Sequence, residues 1–182
     1  MTAIFSIIPW RPVVDVVFDC SMVFIAVVFS FGVGIAAFTL AACVIGNRQR
    51  ALANLLHEAV HNNLYRTGLL NERFAAVFIS ASLTSDLGLY RRAHSRHHAF
   101  LGRQGKDPDV NDPPANVNRS WWIVYRDQIV SVQAWLGAIF SRLMDRRLTW
   151  KSRAWMGLWW AALIATSCAI NGASFTIYFV AL

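Results

Sequence analysis

All five histidines of this 182-residue chain fall into two short stretches. The first is "HEAVH", with His57 and His61 four residues apart and Glu58 directly after the first. The second is "HSRHH", which carries His94, His97 and His98. On a helix, residues three and four apart share a face, so each stretch presents its imidazoles in one direction. Neutral imidazole ligates iron, zinc and copper, and one-faced clusters at these spacings are what a metal site requires. A lone histidine at an interface is usually an ordinary polar residue, and HExxH alone is short enough to arise by chance. With every histidine of the protein in two such clusters, metal binding is the expected chemistry.

"HEAVH" also fits the HExxH helix of zinc proteases, in which Glu58 would be the general base acting on a zinc-bound water. A protease needs one further ligand, whereas this chain offers three more imidazoles at H-x2-H-H spacing, which weighs against that reading.

The elements that must position these side chains are largely apolar. The chain is 56% hydrophobic with a mean hydropathy of +0.41, which is far from an ordinary soluble domain. No charge occurs from Cys20 to Gly46 or from Ala154 to Leu182, and the first run is long enough to cross a hydrocarbon core of about 30 Å as a helix. Val13 to Ile45 reads as one long tilted helix or as a hairpin broken near Phe31-Gly32-Val33-Gly34. Two full spans need about 40 residues, which favours one. The segment is too long, and too poor in basic residues before it, for a signal peptide. After Gly46 the pattern turns amphipathic, with Leu52, Leu55, Leu56, Ala59 and Val60 among polar residues, as in a helix leaving the membrane for its interface.

"FAAVFISASLTSDLGLY", Phe74 to Tyr90, is too short for a crossing and reads as an interfacial or buried helix. Both histidine clusters then lie on the same side of the membrane. Gly102 to Asn118 is a non-helical connector rich in Gly, Pro, Asn and Asp. Ser120 to Met144 suits a helix lying along the headgroups, anchored by Trp121, Trp122 and Trp135. In the last apolar run, Asn171-Gly172 separates a span of about 17 residues from one that stops after about ten.

The net charge is +7, and of the 17 Lys and Arg residues only Arg11 lies outside Arg48 to Arg153. One long cytoplasmic block between spans explains this by the positive-inside rule. These basic residues form no Arg/Lys-rich tail and no nucleic-acid motif, so a nucleic-acid partner is not expected. Cys20, Cys43 and Cys168 sit in apolar runs without a CxxC and read as buried small residues. The expected fold class is therefore an all-α integral membrane protein. It would have spanning regions at 13–46 and 154–182 and a cytoplasmic histidine-bearing region of amphipathic helices at 47–153.

"GNRQRALANLLHEAVHNNLY" and "YRRAHSRHHAFLGRQGKDPD" together resemble the first two histidine boxes of the membrane-bound fatty acid desaturases and related hydroxylases. The first is H-x3-H; the second is H-x2-H-H followed by Asp-Pro-Asp. The two-residue spacing in the second box looks more like desaturases than alkane hydroxylases. The resemblance covers about residues 46–109 strongly and makes 1–182 a single desaturase-like domain. It implies a non-haem di-iron site on the cytoplasmic face. There O2 would be activated and hydrogen abstracted from an unactivated C–H bond of an acyl or membrane-lipid substrate. Electrons would come from a separate ferredoxin-like or cytochrome-type donor, since no haem, flavin or ferredoxin motif is present. His57, His61, His94, His97 and His98 would be iron ligands, with no catalytic residue apart from the metal site. Asp107 and Asp109 would support the ligands, although a turn or capping role in a Pro-rich loop is an equal reading. Glu58 either orients a ligand or faces water.

The resemblance breaks after His98, where a third H-x2-H-H box has no counterpart. Five histidines are too few for two irons. A C-terminally truncated chain with little or no desaturase activity is therefore expected. A decayed or otherwise non-catalytic membrane protein is the alternative from another class, and metal content separates the readings: iron for a desaturase, zinc for a protease, neither for a decayed protein.

Overall fold

The computed structural model describes residues 8–29, 34–108, 120–130 and 144–170. Helix is the regular structure throughout them, and no strand occurs among the described residues, in agreement with the all-α expectation. The chain divides into two compact units, one formed by Met1–Leu83 with Ala154–Leu182 and the other by Thr84–Arg153.

In the first unit, α1 (Arg11–Phe29) and α2 (Ile35–Val60) pack against each other. Asp19 meets Arg48, while Val23, Ala26 and Val27 lie against Ala41 and Ile45, so the two helices run antiparallel. The single helix favoured for 13–46 is thereby corrected to two. Gly34 has φ +85°, a backbone state open to glycine without strain, and it lets α2 start in a new direction. The apolar run is thus divided between two helices that cover each other.

α2 continues through Gly46, and Ala41, Ile45, Gln49, Leu52, Leu56, Ala59 and Val60 form its buried stripe at helical spacing. The amphipathic pattern read after Gly46 is this stripe. The helix ends in a hydrogen-bonded C-cap. Asn62 stands in the left-handed region at φ 59° and donates to Ala59 O (3.1 Å), while Asn63 N–H donates to Glu58 O (2.9 Å). Asparagine is the side-chain-bearing residue that best tolerates this position.

α3 (Gly68–Phe74) runs into a π-helical turn at Ala75–Ser80 and a 3-10 turn at Ala81–Leu83. The expectation of one helix from Phe74 to Tyr90 is corrected here. The chain breaks at Thr84, with φ 48°, and Asp86 then caps a new helix, α4 (Leu87–Phe100), by accepting Leu89 N–H at 2.8 Å. The second unit also holds α5 (Trp121–Val130), on which Trp121 and Trp122 are exposed and stack at 3.8 Å. Trp135, Cys168's side chain and the Asn171-Gly172 break lie outside the described residues.

α6 (Trp150–Ile170) starts inside the basic run, where Thr149 Oγ1 accepts Ser152 N–H at 3.1 Å. Farther along, Trp159, Trp160 and Leu163 pack on Ala41 and Ile45, and Trp155 Nε1 donates to Val77 O at 3.2 Å. Cys20 and Cys43 are exposed, not buried as their apolar surroundings suggested, because those stretches of α1 and α2 turn much apolar surface outward. Among the described residues no helix is long and apolar enough to cross a membrane. α1 carries Arg11, Asp15 and Asp19, α2 turns basic at Arg48, and α6 opens with Lys151 and Arg153.

Candidate metal centre

The first histidine pair stands at the end of α2. His57 is half-buried in the last turn and His61 is exposed at the C-cap, with ring centroids 4.8 Å apart. The i, i+4 spacing puts the rings side by side, as the sequence predicts. Glu58 does not point away into water alone. Its Oε2 accepts a hydrogen bond from Asn63 Nδ2 at 2.8 Å, and its Oε1 lies 3.4 Å from His57 Nδ1. The Asn63 amide is the largest influence and holds the Glu58 carboxyl below its ordinary value of 4.5; burial opposes it, and the neighbouring His57 and His61 lower it further. Glu58 is thus an anion that sits beside the histidine pair across the pH range in which imidazoles bind metals.

The second set stands on α4. His94 is buried, and its Nε2 lies 2.9 Å from His98 Nε2. Two imidazole nitrogens bound cis to one ion at about 2.1 Å are themselves about 3 Å apart, so this pair has the spacing of two ligands of a single ion. Tyr90, one turn earlier, stacks on His94 with ring centroids 5.6 Å apart and planes 20° from parallel.

His97 is held differently. Its Nδ1 is 2.8 Å from Asp107 Oδ1, and the Asp107 side chain is wholly buried. Asp107 Oδ2 accepts Gly102 N–H at 2.8 Å. With Nδ1–H donating to a carboxylate, the lone pair of the neutral ring is on Nε2, the arrangement seen in carboxylate–histidine–metal sites. Asp107 thus bonds the turn with one carboxylate oxygen and His97 with the other. Asp109 lies outside the described residues.

The α4 donors fit a transition metal: two imidazoles converge at ligand spacing and a third has its tautomer set by a buried carboxylate. At the end of α2 two further imidazoles stand side by side. Three residues of the site's surroundings escape a motif reading: Asn63, Asn71 and Tyr90. The Asn62-Asn63 doublet after "HEAVH" signals a helix stop, but nothing local marks Asn71 as a polar residue inside the protein.

The fatty acid desaturase family model matches residues 29–182. Among curated proteins, the chain is similar to a dihydrorhizobitoxine desaturase of Bradyrhizobium elkanii, 34% identical over 80 residues, or 43% of this chain. The match spans 23% of that relative's length. No solved structure matches.

Proposed function

This chain belongs to the fatty acid desaturase family, and on that premise we propose that it forms part of a membrane-bound, O2-dependent di-iron oxidoreductase acting on an acyl chain. The observation that carries the metal reading is the 2.9 Å convergence of His94 and His98 beside the Asp107-held His97. His57, His61, His94, His97 and His98 would hold the iron. Bound iron supplies O2 activation and the oxidising power to remove hydrogen from an unactivated C–H bond, introducing a double bond.

The chain's own residues would position that group. Asp107 keeps the His97 proton on Nδ1, and Glu58 offers a carboxylate to His57. Asp109 would support the ligands, as the resemblance implies. Five imidazoles are short of the donors two irons need, so the 182-residue chain by itself is expected to hold at most one iron and to turn over little.

Membrane insertion is supported by an inverted surface. Val13, Val17, Phe18, Phe24 and Ile25 of α1 are exposed while Asp19 is buried, as expected of a helix whose outer face meets lipid. Placing the histidine region on the cytoplasmic side follows from the Arg48–Arg153 concentration of basic residues. Electrons then come from a separate ferredoxin-like or cytochrome-type protein.

The test is metal analysis of the full chain in detergent after anaerobic incubation with ferrous iron. Iron that is retained by the wild type and lost from His94→Ala and His98→Ala supports the reading. Stoichiometric zinc with no iron would overturn it in favour of a metallopeptidase, and neither metal would favour a non-catalytic protein.

A further inference from the structure

Asn71 is fully buried, a polar side chain at 0% exposure in the first unit. Its amide is spent on the turn that follows the first histidine pair. Nδ2 donates to Ala59 O at 2.7 Å and lies 3.4 Å from Asn62 Oδ1, and Oδ1 accepts Leu64 N–H at 3.1 Å. Ala59 lies between His57 and His61 on α2, and Asn62 and Leu64 belong to the turn just after His61. One side chain from α3 therefore ties together both sides of His61.

The two histidines depend on this tie unequally. His57 is one turn inside α2, where the helix ladder fixes its backbone. His61 is the C-cap, with φ −84° and ψ 3°, and its own N–H bond to His57 O is long at 3.4 Å. Helix ends fray when their carbonyls lack outside partners. Ala59 O accepts Asn62 N–H within the turn and takes Asn71 as its partner from outside the helix. We infer that Asn71 is a positioning residue for the first histidine pair, which acts by holding His61 beside His57. The inference rests on the metal reading above.

The experiment is a Co(II) titration of the full chain in detergent, followed by the visible d–d absorption, for wild type, Asn71→Ala, His61→Ala and the double variant. Asn71→Ala should weaken Co(II) binding about tenfold, and the same change in the His61→Ala background should have no further effect. In 15N-histidine-labelled protein, the His61 ring resonances should move and those of His94, His97 and His98 should stay. Asn71→Leu keeps the shape of the side chain, adds no charge to this buried site and loses every amide contact. It is expected to behave like Asn71→Ala and serves where truncation prevents folding. Equal binding by wild type and variants overturns the inference and leaves the metal reading intact. Equal weakening in both backgrounds overturns it too, as that is what general destabilisation does. Failure of the wild type to bind Co(II) removes the metal reading itself, and this inference with it.

Discussion

His97 Nδ1 and Asp107 Oδ1 are 2.8 Å apart although the two residues are ten positions apart, across the end of α4. The chain returns because Gly102, at φ +72°, turns it after the helix, and its N–H bonds the other carboxylate oxygen. The same carboxylate therefore closes the turn and orients the imidazole. Replacing Asp107 with Asn keeps the size but leaves one acceptor for two donors, so either His97 Nδ1–H or Gly102 N–H loses its partner and the hold on the imidazole weakens. Metal affinity is expected to fall by about ten- to a hundredfold, measured by Co(II) titration. Asp107→Ala should in addition cost about 1–3 kcal/mol of stability, since Gly102 N–H loses its acceptor.

The Asp19–Arg48 pair joins α1 to α2 at 3.1 Å, with the Asp19 side chain 5% exposed. Arg48 also stands over the Phe18 ring at 5.6 Å. Removing one partner of a buried pair leaves an uncompensated charge. Arg48 is 26% exposed, so the cost should lie below that of a fully buried pair, about 2 kcal/mol. Arg48→Met should lower the denaturation midpoint in detergent, and the double change Asp19→Leu with Arg48→Met should recover most of it.

Glu58 makes stability depend on pH in a defined direction. Its carboxyl lies below its ordinary 4.5 chiefly because Asn63 donates to the ionised form. Folding therefore gains from this group above pH 4.5, and the gain disappears as pH falls through the lowered value. Asn63→Ala should shift the Glu58 titration, followed by carboxyl 13C resonances, back toward 4.5. The stability difference between the two proteins should be present at pH 6 and shrink on acidification. Glu58 is nearly half exposed, so the difference will be small.

Asp86 caps α4 through Leu89 N–H and accepts Ser152 Oγ–H at 2.7 Å with its other oxygen. Asp86→Ala should cost about 1 kcal/mol through the lost cap, with the Ser152 bond lost besides. Asp86→Asn keeps one acceptor and should cost less. Thermal unfolding by circular dichroism reads both. Gly88→Ala tests the same cap from the other side, because a Cβ there would lie 3.2 Å from Asp86 Oδ1.

Short-range periodicity made much of this protein legible from its residues. The i, i+4 pair His57/His61 and the His94/His97/His98 set read directly as one-faced clusters, and the buried stripe Leu52, Leu56, Ala59 and Val60 follows the same helical repeat. The Gly- and Pro-rich stretch after His98 read as a non-helical connector, and the Asp86 cap is a local signal that a reading of Phe74 to Tyr90 as one apolar helix passed over. Helical spacing is set by backbone geometry within a few residues, so one chain segment suffices to show it.

Tertiary structure decided what depends on residues far apart in the chain. Whether Val13 to Ile45 is one helix or two turned on Gly34 and on the pairing of Asp19 with Arg48, 29 residues away. Which carboxylate steadies a histidine depended on the path of the chain from Phe100 to Asp107. Asn71 reads in the sequence as one polar residue on a short helix, and only its reach to Ala59, 12 residues back, makes it a clamp on His61. Burial of a polar side chain is stable where distant backbone groups arrive to bond it, and which groups arrive is a property of the packed chain.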